Sequence, residues 1–311
     1  FNGDVPTLLK TLYRRMGLTA TVGNTVIPVP LGRNVGGTTT INSGTCLRVS
    51  DDLIRHWQQQ GWCDLSAQEL APWYEQVEAM LEVQPALAAA AGPTAEIIAT
   101  GAARLNVTGA HLLQRNAAGC DGQGLCQLGC PTDAKRSTNV SYVPRALEAG
   151  AMLLPHTQAV RLHGSAGQRA VELRCTRTGH SQTLRARAVV VAMGSLITPH
   201  FLRRNGLRHR WLGRNLSLHP CGLVSAQFPG TDLRNSRTIP QGFGVSHWAD
   251  EGLMLEGATP PLLAYGLMQP ALGQDFCARA LHYQQTSLFG FMIRDSSRGT
   301  ISRFSAGGFP L

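Results

Sequence analysis

Lysine is almost absent from this 311-residue sequence: Lys10 and Lys135 are the only two among 28 basic residues. Arginine therefore carries nearly all of the positive charge, and the chain has a net charge of +9. The arginines are spread along the chain, in short pairs such as Arg14-Arg15 rather than in a basic tract. This distribution argues against a nucleic-acid partner and favours solvated surface charge, with some arginines serving an anionic cofactor.

Long apolar runs are also missing, and none approaches the roughly 18 residues that a membrane-spanning helix needs. Eight cysteines are too few to make a chain of this length a disulfide-stapled scaffold. The sequence opens without an initiator methionine or a signal-peptide pattern. We therefore expect an internal piece of a longer protein and assign no cellular compartment. With 43% hydrophobic and 15% charged residues, the composition is globular and large enough for two domains.

The most unusual stretch is residues 31–48, which read L-G-R-N-V-G-G-T-T-T-I-N-S-G-T-C-L-R. Glycine lets a backbone turn through positive φ and approach a ligand closely. Successive free N–H groups beside small hydroxyl side chains form a concavity that suits phosphate or a polarised ring. Arg33 adds a fixed cation at its edge. The stretch thus indicates a ligand-binding loop, and the alternative is an ordinary glycine–threonine loop.

Within this stretch, the pattern G-R-x-V-G-G-T-T-x-I-N resembles the first signature of the glucose–methanol–choline (GMC) flavoprotein oxidoreductases. The resemblance implies that the segment runs beside FAD. Some members of that family bond the flavin covalently to a histidine at the position of Ile41, which isoleucine cannot do, so the expected FAD is non-covalent. In this segment the resemblance assigns to FAD the residues Arg33, Gly36, Gly37, Thr38, Asn42, Ser43, Gly44 and Thr45.

A second glycine turn follows a predicted strand at residues 183–192, whose all-apolar end is typical of a sheet buried on both faces. The strand leads through Gly194 into Thr198-Pro199, which predicts the start of a helix. Residues 194–207 resemble the second GMC signature. That resemblance implies that Val160, Ala192 and Gly194 also contact the cofactor, and that the turns at Gly36 and Gly194 meet at one bound dinucleotide.

Between the two signatures, Ser66-x-x-Glu69 is a capping-box pattern. Pro72 is expected to open a helix with one apolar stripe that lies in the core. The stripe consists of Trp73, Val77, Met80 and Leu81. The alanine-rich residues 86–92 are expected to form a linker or an exposed helix end.

Cys120, Cys126 and Cys130 match a bacterial ferredoxin run, except that Gln123 replaces the second cysteine. Three thiolates and an amide are a poor iron–sulfur ligand set, and a structural zinc would need a fourth ligand. A disulfide is another alternative. The GMC branch resembling cholesterol oxidases and long-chain alcohol oxidases carries similar cysteines as ordinary polypeptide near the flavin. We favour that interpretation, which assigns no metal ligand.

Alcohol oxidation needs a base for the hydroxyl proton and an acceptor for the hydride. GMC enzymes use a histidine near the end of the chain, but none of the ten histidines falls in a matching motif. Residues 253–261 (L-M-L-E-G-A-T-P-P) resemble the strand that presents a buried glutamate over the flavin in cholesterol oxidases. Glu256 is therefore the predicted base, with a pKa raised by its apolar neighbours. The alternative is a glutamate that points to solvent from an edge strand.

The sequence predicts an α/β fold with α+β elements, in which a partial Rossmann-like FAD-binding domain is interleaved with an antiparallel-sheet substrate domain. Residues 1–50 and 134–220 are assigned to the FAD-binding domain, and residues 51–133 and 221–311 to the substrate or cap domain. No G-x-G-x-x-G spacing occurs in the sequence. We therefore predict a central fragment of an FAD-dependent alcohol oxidoreductase, inactive by itself.

The predicted substrate is a small-molecule alcohol. The Phe-, Leu- and Met-rich stretches after residue 243 suggest that this alcohol is apolar. The electron acceptor is oxygen or another, unidentified molecule. Two other classes stay open: an iron–sulfur or zinc protein built on the cysteine run, and a truncated, non-catalytic fragment.

Overall fold

The computed structural model describes residues 3–165, 168–269 and 271–301. The chain forms two compact units: the first comprises the chain up to Gly150 with Pro220–Arg294, and the second comprises Ala151–His219 and the chain from Asp295 onward. Residues 302–311, which the predicted substrate domain includes, lie outside the described residues. Among the described residues, no helix combines the length and the apolar character needed to cross a membrane.

Helices and antiparallel sheets are mixed along the chain, which confirms the predicted mixture of helix and sheet. The α-helices are α1 (Val5–Leu12), α2 (Asp51–Gln59), α3 (Ala67–Leu81), α4 (Ala88–Arg104), α5 (Tyr142–Glu148), α6 (Ile197–Arg204), α7 (Leu262–Met268) and α8 (Gly273–Leu281). The strands are β1 (Ala20–Thr21), β2 (Ile27–Pro28), β3 (Gln84–Pro85), β4 (Ala110–Leu112), β5 (Gln114–Arg115), β6 (Thr157–Ser165), β7 (Gln168–Cys175), β8 (Ser181–Ala186), β9 (Arg214–Leu216), β10 (Cys221–Gln227), β11 (Phe243–Val245), β12 (Leu253–Ala258), β13 (Thr286–Ile293) and β14 (Gly299–Thr300). Whether one part is a Rossmann-like domain interleaved with another stays a prediction, as do the assigned domain boundaries.

Helix α3 begins where the capping box predicts, but its environment differs from the expectation. Both capping-box hydrogen bonds between Ser66 and Glu69 are present. The helix therefore starts at Ala67, five residues before Pro72, which lies inside it. None of its described side chains is buried, and Trp73 is 63% exposed. The predicted core stripe is wrong, because an apolar stripe is buried only where another element covers it.

The alanine-rich residues 86–92 lead into helix α4. Residues 87–89 are exposed, as expected of a helix end, whereas Ala86 and residues 90–92 are buried, so the expectation of a linker or exposed helix end holds only for the middle of this stretch. Ala90 and Ala91 are buried, and a side chain at Gly92 would lie 2.2 Å from Cγ2 of Thr238. Small residues are needed here because α4 packs closely against neighbouring backbone. Ala90 and Ala91 are thus packing residues, whereas Ala88 and Ala89 face solvent.

A five-stranded antiparallel sheet forms the centre of the first unit, in the order β10-β13-β12-β11-β4. Helix α4 covers one face, since a side chain at Gly257 would lie 3.0 Å from Ile98 and 3.2 Å from Thr94. Successive residues of a strand face opposite sides of the sheet, so Glu256 lies on the face away from α4. It sits on a central strand, not on an edge strand.

The second unit contains the antiparallel sheet β6-β7-β8. Strand β8 ends at Ala186, so residues 189–192 are not strand, and Val190 is 88% exposed. The predicted buried strand end is wrong, because a parallel strand needs neighbours on both sides and no described residues pair with this one. Helix α6 begins at Ile197, and Thr198 accepts a hydrogen bond from the amide of Met193 instead of capping the helix.

Candidate functional site

The glycine segment, residues 31–48, is a tight turn held against a second stretch of the first unit. Gly36 has φ +95°, and a side chain there would lie 3.0 Å from the backbone nitrogen of Asn139. The Thr138 hydroxyl donates to the Gly36 carbonyl at 3.1 Å, and the Thr138 amide donates to the Thr39 hydroxyl at 3.1 Å. The packing therefore requires glycine at this point.

Lys135 lies beneath the glycine segment and is only 1% exposed. Its ammonium donates to three backbone carbonyls, those of Thr40 (2.9 Å), Asn42 (2.7 Å) and Cys126 (2.7 Å). Burial lowers the pKa of Lys135 from 10.5 to about 8. The three carbonyl dipoles replace its hydration shell, so one cation fixes the path of the backbone after the turn.

The end of the glycine segment runs beside strand β5. The amide of Asn116 donates to the Gly44 carbonyl at 3.1 Å, and the backbones of Thr45 and Arg115 form an isolated antiparallel β-bridge. Within the described residues, the Thr45 hydroxyl and the Asn116 carbonyl oxygen are buried and have no hydrogen-bond partner. Such orphaned polar atoms cost free energy unless a ligand or water satisfies them.

A chain of side-chain hydrogen bonds joins the glycine segment to Glu256. The Ser43 hydroxyl donates to the side-chain carbonyl of Gln241, and the side-chain NH2 of Gln241 donates to Oε1 of Glu256. The guanidinium of Arg115 donates to the backbone carbonyl of Gln241. One glutamine thus connects a predicted cofactor residue to the predicted base.

Three charged side chains are buried among the described residues: Arg115, Lys135 and Glu256. All three belong to this junction, which contains two cations and one carboxylate. Burial raises the pKa of Glu256 to about 6, against the opposing effects of the Gln241 hydrogen bond and the charge of Arg115. A carboxyl group in that range can exchange a proton near neutral pH, as a general base must.

The other predicted cofactor residues are placed differently. Arg33 is exposed beside Arg14, whose pKa is lowered by burial and by Arg33. Val160, Ala192 and Gly194 lie in the second unit. Val160 is the extra residue of a β-bulge in β6, between Ala159 and Arg161. Their cofactor contacts stay predictions, as does the convergence of the two glycine turns.

Gln241, Arg115 and Lys135 were not predicted as site residues. Only Lys135 carried a signal in the sequence, as one of two lysines beside 26 arginines. An ammonium can donate three hydrogen bonds from a single point, which suits three converging carbonyls better than a planar guanidinium does. The other two act through contacts between residues far apart in sequence.

The cysteines of the run are free thiols in the structure. Cys126 accepts a hydrogen bond from Arg115 at 3.3 Å, and Cys130 accepts one from the Lys135 amide at 3.4 Å. Among the described residues, no three His, Cys, Asp or Glu side chains cluster closely enough to hold a metal ion. Two of the three thiols, Cys126 and Cys130, thus contact residues that build the junction.

A family model described as GMC oxidoreductase matches residues 9–221. An uncharacterized GMC-type oxidoreductase of Mycobacterium tuberculosis, Rv0492c, is 33% identical over 294 residues, covering 93% of this chain and 46% of the relative. The uncharacterized GMC-type oxidoreductase y4nJ of Sinorhizobium fredii is 31% identical over 286 residues, covering 83% of this chain and 56% of the relative. The long-chain-alcohol oxidase FAO4B of Arabidopsis thaliana is 26% identical over 319 residues, covering 96% and 42%. The chain thus spans about half the length of these relatives.

Proposed function

The chain belongs to the GMC oxidoreductase family, and from that premise we propose that a protein including it oxidises an alcohol with non-covalent FAD. The observation that carries the proposal is the junction of Ser43, Gln241 and Glu256, where the glycine segment meets the one acidic side chain that is buried among the described residues. A cofactor-binding turn and a base must adjoin in any enzyme that removes a proton and a hydride from one substrate.

The residues present fit a flavin. The buried hydroxyl of Thr45 and carbonyl oxygen of Asn116 lack partners within the described residues and can accept or exchange hydrogen bonds with a polar ring. A side chain at Gly37 would meet no atom of the described part of the chain within 4 Å, so the backbone there is open to a ligand. We assign cofactor binding to the glycine segment from Gly36 to Thr45, with Arg33 at its exposed edge. Bound FAD supplies the acceptor for the hydride that leaves the alcohol carbon.

Glu256 is the proposed base that removes the hydroxyl proton. At pH 7 a carboxyl group with a pKa of about 6 is largely ionised, and it is a stronger base than an ordinary exposed glutamate. Gly244 and Gly290 pair with Glu256 on the two neighbouring strands. Residues paired directly across a sheet share a face, so neither paired residue has a side chain of its own beside the carboxylate. The side chains of Leu113 and Leu223 lie next to these two glycines, so the surroundings of the buried carboxylate are apolar.

The proposed substrate is an apolar alcohol, and the proposed acceptor of the electrons is oxygen. Both come from the relatives, whose names include long-chain-alcohol oxidase. Apolar residues on the Glu256 face of the sheet agree with an apolar ligand. Leu223, Met254 and Met292 share the face of Glu256 by register, and none of them is fully buried.

The test uses the full-length protein that contains this chain, purified with FAD and mixed without oxygen with hexadecan-1-ol. We expect loss of the oxidised flavin absorbance, and a decrease of about 10²–10⁴-fold in its rate in Glu256→Gln, since that is the usual contribution of a general base. Glu251→Gln, an exposed glutamate of the same unit, is the matched control and keeps the wild-type rate. Absence of flavin, or equal rates in Glu256→Gln and wild type, would contradict the proposal.

A further inference from the structure

We propose that Gln241 is a positioning residue for Glu256. Its amide donates a hydrogen bond to Oε1 of the carboxylate, which leaves Oε2 as the atom that takes the substrate proton. This inference rests on the proposed function, in which Glu256 is the base. It adds a residue that neither signature of the sequence contains.

The hydrogen-bond chain has only one polarity. An ionised carboxylate only accepts hydrogen bonds, so the NH2 of Gln241 must face Glu256 and its carbonyl oxygen must face Ser43. Ser43 is then the donor. The ionised base therefore fixes the orientation of the amide, and the amide fixes the direction of a hydroxyl in the glycine segment.

The two oxygens of Glu256 are thereby made unequal. Within the part of the chain that the structure describes, the hydrogen bond of Gln241 to Oε1 is the one recorded for this carboxylate. Oε1 remains an acceptor from Gln241 before and after proton transfer if the proton is bound at Oε2. Proton transfer then breaks the O–H bond of the alcohol, forms an O–H bond at Oε2, and leaves the chain from Ser43 unchanged.

The backbone around Gln241 is held in place before any ligand binds. The amide of Leu113 donates to the Gly242 carbonyl at 3.0 Å, and the amide of Thr259 donates to the Pro240 carbonyl at 3.0 Å. Between them, Arg115 donates to the carbonyl of Gln241 itself. The backbone carbonyls of residues 240–242 are therefore all hydrogen-bonded. Because this backbone is fixed, the Gln241 side chain can orient the base without reorganisation during the reaction.

Two groups act on the ionisation of Glu256 in opposition to its burial: the amide of Gln241 and the charge of Arg115. Both favour the carboxylate, so loss of the Gln241 hydrogen bond raises the pKa of Glu256 further above about 6. Replacement of Gln241 by glutamate adds a like charge as well as removing the donor, so it raises this pKa most. The pKa of Glu256 is therefore expected to rise from wild type to Gln241→Met and to be highest in Gln241→Glu.

The experiment measures this order in two ways in the full-length flavoprotein. The first is the acidic limb of the pH profile of kcat/KM for hexadecan-1-ol, and the second is the pH titration of the Glu256 carboxyl carbon by ¹³C NMR without substrate. We expect both pKa values to rise by about one unit in Gln241→Met, so that kcat/KM falls about tenfold more at pH 5.5 than at pH 8.5. Gln284→Met is the control, because Gln284 makes a comparable hydrogen bond to Ser236 at 2.8 Å, away from Glu256.

The outcomes separate the two proposals. If Glu256→Gln loses activity but both Gln241 variants titrate like wild type, Gln241 is a structural residue and the positioning role is wrong. If Glu256→Gln keeps full activity, the proposed base itself is wrong, and the carboxyl titration still shows whether Gln241 acts on it. Should Gln241→Met not fold, Gln241→Glu, which keeps the shape of the side chain, decides alone.

Discussion

The two glycine turns differ in what surrounds them. At Gly36 an added side chain would lie 2.7 Å from Cγ2 of Thr40 and 3.0 Å from the Asn139 backbone, whereas at Gly194 it would meet no atom of the described residues within 4 Å. Both glycines have positive φ, +95° and +85°. The turn at Gly36 is therefore packed closely against Thr40 and Asn139, whereas the turn at Gly194 is held by local contacts such as the hydrogen bond from the Met193 amide to the Thr198 hydroxyl. The comparison teaches that packing within the first unit preorganises the turn at Gly36.

The largest effect should come from removing the cation that organises the first turn. In Lys135→Met we expect a loss of about 3–5 kcal/mol in the free energy of unfolding, because three carbonyls, two of them in buried hydrogen bonds, lose their donor. Urea unfolding of the purified protein measures it. Lys10→Met, at the other lysine, which is exposed, should change stability by less than about 0.5 kcal/mol. Equal losses of stability at the two lysines would contradict the claim that Lys135 stabilises the first turn.

The comparison itself is tested by placing alanine at each turn. Gly194→Ala should cost about 1–2 kcal/mol, the usual cost of positive φ for a residue with a side chain. Gly36→Ala should cost about 1–3 kcal/mol more, since it adds overpacking against Thr40 and Asn139. The difference between the two unfolding free energies is the quantity to measure. Equal costs would show that the first turn is no better packed than the second.

A smaller effect is expected in the dependence of stability on pH. The folded protein binds the proton of Glu256 more tightly than the unfolded chain, because the pKa rises from 4.5 to about 6 on folding. The associated stability is therefore present below pH 4.5 and lost as the pH rises through 6, by about 2 kcal/mol. Unfolding of wild type and Glu256→Gln between pH 4 and 7.5 measures this, since the variant lacks the loss. A parallel pH dependence in both proteins would mean that Glu256 titrates normally.

Local features of the fold could be read from the sequence. The capping box at Ser66 depends on residues three apart, and positive φ at Gly36 and Gly194 depends on one residue each. The β-branched residues between 21 and 29 are typical of a strand or hairpin, and β1 pairs with β2 there. Each of these depends on contacts within a few positions, so no knowledge of the rest of the chain is needed.

Features that depend on a distant partner could not be read in the same way. The stripe on α3 and the apolar residues 189–192 show only that something could cover them, and among the described residues neither is buried as expected. The role of Gln241 depends on Ser43, which lies 198 positions away. Glu256 was found through a resemblance in its own strand, whereas the glutamine that holds it belongs to no local pattern.

The account depends on the glycine segment and Glu256 forming one site, and ¹³C NMR of the Glu256 carboxyl carbon with FAD bound and after its removal tests this most directly. The signal is identified by its loss in Glu256→Gln. The account predicts a pKa of about 6 without FAD and a higher value with FAD, because a cofactor bound at the glycine segment would displace water near the junction and add to the desolvation of the carboxylate, with no change at Glu251. Identical titrations of Glu256 in the two states would contradict it.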